Sequence, residues 1–63
     1  MLSIGQRVIG VVKDEPFTNV LGTVIEVYTA AVSIYGEPFF FVRFDNDIDN
    51  LWEVVETDID PVE

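Results

Sequence analysis

The 63-residue chain contains no cysteine and no histidine. The first absence excludes a disulfide staple. The two together remove the ligands of a structural zinc site and the usual nucleophile and proton shuttle of an enzyme. Ser3 and Ser33 stand alone, with no triad to complete. The carboxylates could form a glycosidase-like pair, yet a chain this short leaves little room for a substrate cleft. No enzymatic activity, catalytic residue or cofactor is therefore expected. Basic residues are scarce as well: three Lys and Arg stand against twelve Asp and Glu, a formal net charge of −9. Such a surface repels a phosphate backbone, because binding to nucleic acid runs on cations displacing counterions, so no direct nucleic-acid contact is expected. No run reaches the roughly 18 apolar residues that span a bilayer. The opening MLSIGQRVIGVV lacks the basic region and long apolar stretch of a signal peptide, which gives a cytoplasmic reading with no membrane partner.

What the chain does have is oil: 49% of its residues are hydrophobic and 13% aromatic. Size scaling gives about 4,100 Å² of folded surface against about 10,300 Å² extended, enough for one domain over 1–63 and no second core. If about 3,700 Å² of the buried area is apolar, burial contributes about 90 kcal/mol against about 95 kcal/mol of ordering entropy. The balance sits near zero. Stability must come from dense packing or from burying more surface against a partner.

The apolar runs are rich in Val, Ile, Phe, Tyr and Thr, which favour pleated, half-buried surfaces. Residues 6–13 predict a first strand with Val8, Gly10 and Val12 on one face and Arg7, Ile9, Val11 and Lys13 on the other, ended by Asp14, Glu15 and Pro16. A loop through Phe17 leads to a second strand over 20–28, where Gly22 and the out-of-frame Val24 and Val27 predict a bulge or two-sided burial. Residues 29–38 read as a strand extension or packed loop rather than a helical turn, closed by Gly36-Glu37-Pro38. Residues 39–44 form the clearest strand: Phe40, Val42 and Phe44 share one face; Phe39, Phe41 and Arg43 the other. A turn over 45–50, a strand over 51–56, a single 3₁₀ turn over 57–60 and a short closing strand at Pro61 and Val62 complete the prediction: an all-β, five-stranded small barrel.

The order IGQRV, LGTVIEV, FVRFDN, LWEV and DIDPV, spread over most of the chain, resembles small SH3-like barrels, including KOW-type domains and short barrels of bacterial and phage genomes. The resemblance implies the fold and little about function, since this architecture hosts many activities. KOW-type modules carry basic residues around their glycine, whereas Gly22 sits beside Leu21, Thr23 and Glu26, so nucleic-acid binding does not carry over. Barrels that hold proline-rich peptides use a tyrosine-bearing first motif, and none precedes Val8.

Three constellations remain. Counting Asp45 as position one, carboxylates Asp45, Asp47, Asp49, Glu53 and Glu56 fall at one, three, five, nine and twelve, as in a calcium-binding EF-hand loop, although Asn50 replaces its glycine and the flanks read as strands. The plain alternative is an acidic β-turn, so no metal is assigned, with Asp45, Asp47, Asp49 and Glu56 as the calcium candidates. Second, Phe39, Phe41 and Arg43, with Tyr35 and Trp52, form a candidate protein interface, with Ile9 or Val11 across the sheet. Residues 29–38 could instead cover Phe39 and Phe41 as a second small core. The same aromatics plus Tyr28 are the raw material of a methyl-lysine cage. Third, Asp45, Asp47, Asp49, Glu53, Glu56, Asp58 and Asp60 make an acidic patch that could mimic nucleic acid in a target's groove. The leading expectation is a non-enzymatic acidic module that binds a protein partner or itself. An acidic decoy and a weak calcium-binding domain are the alternatives.

Overall fold

The structure is a computed structural model that describes residues 2–34 and 36–62, with backbone only at residue 32. Five strands form one antiparallel sheet: β1 (Arg7–Gly10), β2 (Leu21–Tyr28), β3 (Phe39–Phe44), β4 (Trp52–Val55) and β5 (Ile59–Pro61), in the order β4-β3-β2-β1-β5. The all-β expectation holds in strand number and approximate position. No ladder joins the two edge strands β4 and β5, so barrel closure is not observed. The sheet nevertheless wraps its apolar face: Val8, Val24, Phe40, Val42 and Phe44 are fully buried, and the radius of gyration is 10.7 Å, close to the ~10.6 Å of a compact chain this long.

β1 stops at Gly10 instead of running to Lys13, because residues 11–20 double back over it. The Gly10 amide donates to the Val20 carbonyl at 3.0 Å, and the Asn19 amide donates to the Gly10 carbonyl at 2.8 Å. Asp14 (φ 65°) and Asn19 (φ 62°) take the left-handed turns this return requires. The result seats Phe17, read from sequence as a loop residue, in the core, where it stacks on Phe44 with centroids 4.6 Å apart. A Cβ on Gly10 would strike the Phe17 carbonyl, so only glycine permits this crossing.

The expected irregularity in β2 is a bulge between Val24 and Glu26. Residues 30–32 form a 3₁₀ turn, against the expectation of a strand extension or loop: the chain must turn away from β2 before it can re-enter as β3. The second 3₁₀ turn, Glu56–Asp58, starts one residue earlier than expected, and Asp58 accepts a hydrogen bond from the Val55 amide at 3.0 Å. That bond satisfies a donor at the end of an edge strand. Among the described residues no helix is long and apolar enough to cross a membrane.

Candidate functional site

Strand alternation and pairing define the outer face of the sheet row by row. Directly opposed residues share a face. Thr23 faces Arg43; Glu26 faces Phe41, which faces Glu53; Tyr28 faces Phe39, which faces Val55. Behind them Val24, Phe40, Val42, Phe44 and Val54 form the core. Tyr28, Phe39 and Phe41 are half-buried and pack on one another. The Tyr28 and Phe39 rings stack with centroids 4.8 Å apart, and Phe41 meets them edge-on at 5.6 and 6.0 Å. The Tyr28 hydroxyl donates to Glu26 Oε2 at 2.6 Å. That bond, then burial, then the negative charge of Glu26 raise the Tyr28 phenol above its ordinary range.

Phe39, Phe41 and Arg43 therefore point outward together, as expected. Trp52 does not join them. It lies opposite the buried Val42, packs against the core and meets Phe17 at 5.4 Å, because the register turns Trp52 and Val54 inward and Glu53 and Val55 outward. Tyr35 lies outside the described residues. Ile9 lies on the same outer face but pairs with Leu21, at the opposite end of β2 from Tyr28, so it does not reach the aromatic cluster, and Val11 lies beyond β1 with its amide on the Asp58 carbonyl. Ile34, 90% exposed, does not cover the cluster. A methyl-lysine cage needs open space between rings, and rings that touch at these distances leave none. Neither Tyr28 nor Glu26 was in the candidate interface read from the sequence; the frame shift of the bulge puts both on the same face as Phe39 and Phe41.

The acidic positions separate. Asp45 is held by Arg7, with Nη2 to Oδ2 at 2.6 Å and Nη1 to Oδ1 at 3.1 Å, while Arg7 also donates to Thr23 at 2.8 Å. The Arg7 hydrogen bonds, and to a lesser degree its charge, hold the Asp45 carboxyl below its ordinary range against the opposing effect of burial. Asp47 accepts from the Asn50 side chain at 2.9 and 3.2 Å, and Asp58 caps Val55. Glu56 stands beyond the whole of β4, about 13 Å of strand from the turn. Among the described residues no three acidic groups come together as a metal site. The EF-hand spacing thus folds as a hairpin turn. An open cleft of about 330 Å³ beside β5 is lined by Leu2, Gln6, Glu56, Ile59, Asp60 and Pro61. Gln6 Oε1 there is engaged by the Ser3 amide at 3.1 Å.

No protein-family model, curated protein or solved structure matches the chain.

Proposed function

We propose that this chain is a non-enzymatic interaction module that binds a protein through the outer face of β2 and β3, with Tyr28, Phe39 and Phe41 at the centre and Arg43 beside them. The observation that carries this reading is a second aromatic cluster on the face opposite a completed core. Aromatics and arginine are the residue types enriched where proteins meet. The SH3-like reading rests on the segment order noted in the sequence.

The test is affinity capture from the native host with the wild-type chain and with the Phe39→Ser, Phe41→Ser pair, followed by mass spectrometry. Sedimentation at two concentrations detects a second copy as the partner. Loss of a specific partner with the pair supports the proposal; an unchanged set of captured proteins overturns it. The decoy reading draws less support, because Asp45, Asp47 and Asp58 are engaged in turn and strand-end geometry. It predicts capture that survives the Phe pair and is lost when Asp49, Glu56 and Asp60 are neutralised.

A further inference from the structure

We infer that the partner presents an arginine to this face, its guanidinium lying over Phe41 between the carboxylates of Glu26 and Glu53. The inference rests on the aromatic face being a binding face and adds the chemistry of its occupant. Pairing places Glu26 and Glu53 on opposite sides of Phe41, two strand steps or about 10 Å apart between Cα atoms. An ammonium is a point charge and reaches one such carboxylate at a time. A guanidinium is flat, carries donors on more than one edge, and stacks on an aromatic ring, so it can address both acids while covering the ring between them.

Two further observations favour this occupant. Glu26 is pre-positioned: the Tyr28 hydroxyl fixes one carboxylate oxygen against the cluster, while Oε1 takes no hydrogen bond among the described residues. Among the described residues no cation is paired with Glu26. Arg7 is engaged by Asp45 and Thr23, Lys13 lies in the loop after β1, and Arg43 makes no ion pair among the described residues. A net charge of −9 draws a cationic surface in, and Arg43, one row along β3, discourages a second cation beside the first. The ligand is therefore an isolated arginine on a protein surface rather than a run of basic residues.

The test is an NMR titration with two blocked tripeptides, acetyl-Ala-Arg-Ala-amide and its lysine counterpart, against the wild type and against Phe41→Leu and Glu26→Gln, with Trp52 emission as the check on folding. The expected result is amide shifts concentrated at Glu26, Phe41 and Glu53, an affinity at least about threefold higher for arginine than for lysine, and a similar loss in either variant. The arginine side-chain protons should move upfield in the wild type and not with Phe41→Leu. Equal binding of both peptides, with shifts spread over Asp14, Asp49 and Asp60, overturns the inference as plain charge attraction. If the arginine peptide fails while the Phe39→Ser, Phe41→Ser pair still loses a captured partner, only the arginine chemistry falls. If neither responds, the binding face falls with it.

Discussion

Replacing Phe40 with Ala and, separately, Phe41 with Ala compares two adjacent rings that the pleat sends to opposite faces. Phe40 is fully buried, so its truncation leaves a cavity in a packed core and costs about 3–5 kcal/mol. Phe41 is half-buried and has two edge-on ring neighbours at 5.6 and 6.0 Å, contacts of roughly 0.5–1.5 kcal/mol each at most. Allowing for incomplete burial, its loss should cost about 1–2 kcal/mol. A chain of this length has a total stability of about 3–9 kcal/mol and an unfolding entropy near 0.13 kcal/mol/K. Phe41→Ala should then melt about 8–15 °C below the wild type, while Phe40→Ala should lose about 23–38 °C or fail to fold. Circular dichroism follows the melt, and emission from the single tryptophan, Trp52, which sits against Phe17, reports the core directly. Equal losses for the two variants would show that Phe41 belongs to a second core, and the outer face would cease to be a binding surface.

Gly10→Ala should destabilise by about 2–4 kcal/mol in urea titration, because its Cβ runs into the Phe17 backbone and lies 2.8 Å from the ring's Cδ1; a shift below about 0.5 kcal/mol would refute the crossing. Asp45, held below its usual value, stabilises the fold above the unfolded-state value near 3.8, and that contribution fades as pH falls through the lower folded value. The small melting difference between wild type and Asp45→Asn should therefore persist from pH 7 down to about 4 and shrink below it; a difference that stays constant to pH 2 would count against the Arg7 pairing. Tyr28 should ionise above the ordinary tyrosine range in a ring-carbon NMR titration, and Glu26→Gln should bring it down. Its bond to Glu26 supports the fold below the unfolded-state value near 10 and is lost as pH rises through the folded one. Millimolar calcium should leave the melting temperature where sodium chloride of equal ionic strength leaves it, since the acids of the 45–50 turn and Glu56 are apart.

The alternation in residues 39–44 was legible because six residues with a period of two admit one inward set, and Phe40, Val42 and Phe44 are that set. The irregular β2 was legible too, since Val24 and Val27 cannot share a face of a regular strand. The position of Phe17 was not, because its burial comes from backbone bonds between residues 10 and 20 that no local periodicity encodes. The same holds for Trp52. Hydrophobic surplus argued for an outward aromatic, but only the pairing of β4 with β3 decides that Trp52 faces in and Glu53 out. The outward trio at the candidate site was two-thirds readable. Phe39 and Phe41 followed from the pleat, whereas Tyr28 depended on where the bulge falls.

That extra residue, Ile25, has a consequence for how length changes in this gene would be tolerated. Deleting it would bring Glu26, opposite Phe41, directly after Val24, opposite Val42, in a regular ladder where the Glu26 carboxylate and the Tyr28 phenol still face outward and Val27 still faces inward. Losing that single codon should therefore be tolerated by the fold, as should changes of length at residues 36–38, which precede β3 and belong to no strand.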